Sequence, residues 1–80
     1  MKMYTYKGHR NICGKQIKDA RIKRGLTQEE LAAQLQIREI DIERDSISRI
    51  EIGTRFVTDF ELKVFSEVLN ISVNNLLNIK

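Results

Sequence analysis

Four side chains in the middle of the chain, Arg44, Asp45, Ser48 and Arg49, combine hydrogen-bonding chemistry with a spacing that lets them act together. An arginine guanidinium donates two parallel bonds to O6 and N7 of guanine, a serine hydroxyl bonds either base type, and a carboxylate accepts from N4 of cytosine. At roughly 100° per residue these four cluster with Ile52 on one side of a helix, leaving Ile47 and Ile50 on the other with Glu51 beside them. Upstream, Gln28 stands in the first turn of a separate helix. There its amide and the free backbone N–H groups are placed to hold a phosphate oxygen. Other chemistries find few residues to run on. Cys13 is the single cysteine and His9 the single histidine, too few for a disulfide or a structural zinc site. No carboxylate stands at ligand spacing from His9 and no glycine-rich phosphate loop is present. The reading is of a non-enzyme without a metal site, with Cys13 a small core residue.

The elements that must position these side chains are short helices. The chain has 80 residues, enough for one domain and no second core. Residues 1–11 show no helical period and read as a flexible basic arm, with the folded domain over 12–80. From Gly14, Cys13, Ile17, Ala20, Arg21 and Arg24 share a face, and Gly25 provides a left-handed stop. Thr27 with Glu30 forms a capping box opening a helix that turns Leu31, Ala32 and Leu35 inward. The segment "DSISRIE" is a third helix, closed by Gly53. Thr58 with Glu61 is a second capping box, for a helix running through Leu69 with Leu62, Phe65 and Leu69 inward and Asn70 as its stop. Ser72 caps a last short helix bearing Val73, Leu76 and Leu77. The fold class is all-α, with five helices.

Charge is unevenly spread. Residues 1–28 carry eight basic side chains and one acidic, whereas residues 29–80 carry six basic and ten acidic, for a net charge of +3. A basic leading segment suits a phosphate backbone. The opening "MKMYTYKGHR" lacks the apolar run of a signal peptide and no stretch approaches a membrane span, so a cytoplasmic setting is expected.

Taken together, "GKQIKDARIKRGLTQEELAAQL", "SISRIEIGTR" and "LNISVNNLL" resemble the phage-repressor and Cro-like (XRE) helix-turn-helix family. The resemblance covers residues 13–79. It implies a compact five-helix fold of the lambda-repressor type, binding to duplex DNA as a dimer on palindromic sites, and no cofactor. It places Gln28 on a phosphate, Arg44, Asp45, Ser48 and Arg49 on the helix facing the major groove, and Thr54 and Arg55 in a loop that touches the backbone. It also implies an ion pair between Arg21 and Glu51, two charges on otherwise inward faces. The stretch "QIREIDIERD" is longer and more acidic than the usual turn, as in a subgroup that also carries a later stretch like "VTDFEL". Ile37, Ile40 and Ile42 are expected to anchor this turn on the core, the alternative being that Ile40 and Ile42 serve a partner surface. Acidic Glu39, Asp41, Glu43 and Asp45 near the groove imply weak non-specific affinity, with helix-start dipole stabilisation the plainer role for Glu43.

The sequence reading is therefore a sequence-specific regulator of transcription, expected as a repressor from a bacterium or its mobile elements and associated with the nucleoid. Its recognition helix spans about 44–52. Phe60, Val64 and Val68 form a stripe which, with Leu76 and Leu77, is expected to join two copies; a generous core is the plainer reading of the same residues. The rival function is a protein-interaction module, or an antitoxin, that keeps the helix-turn-helix fold.

Overall fold

The chain turns helical where Asn11 supplies the missing hydrogen-bond partner. In the computed structural model, which describes residues 5–79, the Asn11 Oδ1 accepts from the Gly14 backbone N–H at 2.8 Å. This opens α1, Gly14–Lys23, in place of a side-chain cap at Cys13. Helices α2, Gln28–Ile37, and α4, Asp59–Leu69, both start from complete capping boxes on Thr27 and Thr58. Each box satisfies two backbone donors that a helix start leaves orphaned. Between them lies α3, Arg44–Glu51, and after them the single turn α5, Val73–Leu76. The all-α, five-helix reading is borne out. Among the described residues no helix is long and apolar enough to cross a membrane.

The fully buried side chains are Ile17 of α1, Leu31 and Leu35 of α2, Ile42 of the turn, Ile47 and Ile50 of α3, Phe65 of α4 and Leu76 of α5. Each stabilises the fold by about 1.5–3 kcal/mol relative to an exposed side chain. Helix α3 rests on α1 and α2, while α4 packs on both of those and on α5. The core thus lies behind α3 and leaves its opposite face to solvent. The approach of α1 to α3 is close: a Cβ on Gly14 would stand 2.1 Å from the Ile50 carbonyl oxygen, so only glycine fits there.

The long turn, residues 38–43, is tightly specified. Glu39 adopts the left-handed conformation, φ 65°, and its N–H donates to Gln36 while the Ile40 N–H donates to Leu35. That double closure is a Schellman motif, and its usual apolar contact falls here to the buried Ile40 and Leu35. The Gln36 side-chain amide then donates to the Ile42 carbonyl at 2.8 Å. Ile40 and Ile42 are buried, which favours packing over a partner surface for these two, but Ile37 is 72% exposed. The expectation that Ile37 anchors the turn is corrected by helix geometry. It lies two residues past the inward Leu35, about 200° around the helix, and the chain turns away before it can pack.

Residues 1–4 of the expected arm lie outside the described residues. From Tyr6 onward the segment is attached to the domain. Tyr6 and His9 exchange backbone hydrogen bonds across a tight turn, and the Arg10 N–H donates to the Gly53 carbonyl at 2.8 Å. The Asn11 amide donates to the carbonyls of Ile50 and Arg55. This end of the chain therefore braces the end of α3.

Candidate nucleic-acid interface

Helix α3 has two unlike faces. Ile47 and Ile50 are fully buried, whereas Arg44, Asp45 and Arg49 are exposed and Ser48 is half-buried. Ile52 follows at 64% exposure. Among the described residues the ion pairs are Lys15–Asp19, Arg21–Glu51 and Arg55–Glu61, so neither Arg44 nor Arg49 is committed to a partner carboxylate. The helix presents two free guanidiniums, a carboxylate and a hydroxyl on one rigid surface. Asp45 lies in its first turn, where a carboxylate also stabilises the helix dipole.

The rigidity comes from the carboxylate at the helix end. Glu51 is 9% exposed, and its Oε2 accepts from Arg21 Nε at 2.6 Å while its Oε1 accepts from Arg21 Nη2 at 3.1 Å. The same Oε1 takes a third bond, from the Gln28 amide at 3.0 Å. Arg21 in turn donates to the Leu26 carbonyl. One carboxylate of α3 is thereby tied to α1 and to the first turn of α2. A forked Arg–carboxylate pair carries direction as well as energy, so it sets how α3 sits on its scaffold. Gln28, expected on a phosphate, donates one N–H of its NH2 group to Glu51; from its half-buried position at the start of α2 the second N–H and the nearby backbone N–H groups are the donors left for an anion.

The loop after α3 is organised by a second pair. Gly53 takes a left-handed conformation, φ 85°, and a Cβ there would meet the His9 ring at 2.6 Å. Thr54 is exposed, and its hydroxyl donates to the Arg49 carbonyl at 3.3 Å. Arg55, expected at the backbone, forks onto Glu61, at 3.1 and 3.2 Å, and also donates to the Phe56 carbonyl. Burial pushes the Glu61 carboxyl up, but the Arg55 bonds and charge and the Thr58 N–H outweigh it, leaving its pKa below the usual value. Elsewhere, burial pushes the Cys13 thiol up to about 11 despite a backbone hydrogen bond that lowers it. A thiol in that state has no nucleophilic role near neutral pH.

Sequence reasoning missed Asn11 and Gln36, neither of which stands out by type or period, and took Arg10 only as one of the N-terminal basic residues expected to meet phosphates. Arg10 lies with its guanidinium 5.7 Å from the Phe56 ring centroid. The expected association stripe divides. Val68 and Leu76 belong to the core of a single chain, Val64 and Leu77 are half-buried against it, and Phe60 is 59% exposed.

A family model described as helix-turn-helix matches residues 17–76. Among solved structures, the crystal structure of Bacillus thuringiensis PlcR in complex with the peptide PapR7 and DNA is similar, with a TM-score of 0.68 at 28% identity. The match covers 86% of this chain and 22% of that one, so the chain spans about a fifth of the length of that relative. No curated sequence matches it.

Proposed function

Because this chain belongs to the helix-turn-helix family, of the DNA-binding, transcription-regulating XRE type, we propose that it reads duplex DNA in a sequence-specific way through α3. The observation that carries this reading is the outward face of α3, with its uncommitted Arg44 and Arg49, set on a helix locked by Glu51. Laid in the major groove, Arg49 and Arg44 donate to guanine, Ser48 bonds either base type, and Asp45 accepts from cytosine N4. Gln28 and Thr54 flank the helix on two sides and serve the backbone phosphates. The Glu39, Asp41 and Glu43 carboxylates, all exposed on the turn, repel phosphates and hold non-specific affinity down.

The protein acts as a dimer on a palindromic operator. Two copies related by a two-fold axis place their α3 helices one helical turn apart, about 34 Å. Phe60, the exposed member of the expected stripe, with Val64 one turn further along α4 and the half-buried Leu77, provides the apolar contact between copies. Occupancy of the operator represses transcription, in the cytoplasm of a bacterium or of a phage's host. Similarity to a protein solved with DNA supports the choice of ligand.

Selection from a random duplex library, run with wild type and Arg49→Ala side by side, tests the reading. An enriched palindrome is expected, with Arg49→Ala losing about 1–3 kcal/mol on it and relaxing one base pair. A loss equal on all sequences would place Arg49 on a phosphate. No enrichment from folded protein would favour a protein-interaction module, or an antitoxin, working through the acidic turn and the exposed Ile37.

A further inference from the structure

We propose that the cation meeting the DNA backbone beyond the end of α3 is Arg10, and that Arg55 is a brace which never leaves its carboxylate. The inference rests on the DNA-binding reading above. Both arginines line a shallow concavity of about 370 Å³ together with Arg49, Thr54, Phe56 and Glu61. Their guanidiniums are in opposite states.

Arg55 is committed on both arms of its fork. Its Nη1 and Nη2 hold the two oxygens of Glu61, a residue 5% exposed, and Nη1 also donates to the Phe56 carbonyl. Turning this guanidinium toward a phosphate would break both bonds to a buried carboxylate and leave it without its counter-charge. The pair also holds the loop after α3 to the first turn of α4, since Glu61 closes the capping box on Thr58.

Arg10 is exposed, and among the described residues its one side-chain hydrogen bond is long, 3.5 Å from Nη1 to the Thr54 carbonyl. Its remaining N–H groups are available to an anion. Its place is nevertheless fixed. The backbone N–H is bonded to Gly53, His9 packs on the same glycine, and Asn11 is bonded to Ile50 and Arg55. The guanidinium lies over Phe56, which limits its rotamers before any ligand arrives. A preorganised arginine binds a phosphate oxygen with less ordering cost than a free one. With α3 in the major groove, Arg10, held against Gly53 and Thr54 at the C-terminal end of that helix, is placed to extend contact with the phosphates outside the bases that α3 reads.

The test measures affinity against salt concentration for wild type, Arg10→Ala, Arg10→Lys and Arg55→Ala, on the selected operator and on a random duplex, with thermal melting of each protein. Each phosphate contact contributes about 0.9 to the slope of log affinity against log salt. Arg10→Ala is expected to reduce the slope by about that amount, to weaken both duplexes by the same factor, and to melt near wild type. Arg10→Lys should retain the slope, because a point charge releases the same counterion. Arg55→Ala should melt lower but keep the wild-type slope when measured well below its midpoint. A steep wild-type slope that is unchanged in Arg10→Ala, or is reduced by about 0.9 in Arg55→Ala, would overturn this inference and leave DNA binding standing. A wild-type protein that binds neither duplex in a salt-dependent way would overturn both.

Discussion

Replacing Glu51 by Gln changes one atom and should test what holds α3. The carboxylate accepts three hydrogen bonds, two from Arg21 and one from Gln28, and its side chain is 2% exposed. Glutamine keeps the shape and one acceptor oxygen, but its NH2 must then face another donor. Arg21, whose side chain is 11% exposed, is left as a nearly buried cation without a counter-charge. Breaking a buried pair from one side costs about 3–5 kcal/mol, and the retained oxygen argues for the lower end, about 3 kcal/mol. At about 4–8 °C per kcal/mol for a domain of this size, the midpoint should fall by roughly 12–24 °C. Such a loss is a large share of the stability of about 4–12 kcal/mol expected for a chain this long. Differential scanning calorimetry on wild type, Glu51→Gln, Arg21→Met and the double variant measures both the drop and the coupling. The double variant should cost less than its two parts together, because it strands no charge on Arg21. A fall of under about 4 °C in Glu51→Gln, or strict additivity of the two changes, would refute the claim that this pair locks the recognition helix.

Two further outcomes follow from local geometry. Glu39 holds a left-handed conformation, φ 65°, that costs an L-residue about 1–2 kcal/mol. Glu39→Gly should therefore stabilise the fold by about 0.5–1 kcal/mol after its own chain-entropy cost, and a lower midpoint on thermal melting would contradict that end to α2. The Glu61 pKa lies below its usual value of 4.5, so ionised Glu61 stabilises the fold at pH values above 4.5. That contribution is lost as pH falls through the lowered folded value. Glu61→Gln should be less stable than wild type at neutral pH, with the difference shrinking on acidification. A difference that stays constant in urea unfolding from pH 7 down to pH 3 would show that Glu61 carries no such linkage.

The helices were legible because their signals are local. The capping boxes of Thr27 and Thr58, the glycines at 25 and 53, and the periodic apolar residues between them each act within a turn or two, and the helices begin and end there. The unlike faces of α3 were legible for the same reason: a period of 3.6 residues separates Ile47 and Ile50 from Arg44, Asp45, Ser48 and Arg49. The inward charges of Arg21 and Glu51 were visible as an anomaly that required partners, although only family resemblance suggested which ones.

What the chain could not disclose by itself was how each polar group is used across long separations. Arg55 looked like any loop arginine until the fold set Glu61 against it, and Gln28 looked free until Glu51 came within 3.0 Å. Val68 and Leu76 carry the same apolar signal whether they meet the core or a second copy, and packing decided that they meet the core. Arg10 and Asn11 have no period at all; their role exists because residues 6–11 return to the end of α3, some forty positions on. Local propensity and period determined where the helices lie and which way they face, because those forces act between neighbours in sequence. Hydrogen-bond and charge partners were decided only by tertiary structure, because a buried donor or carboxylate takes whichever partner the folded chain brings within reach.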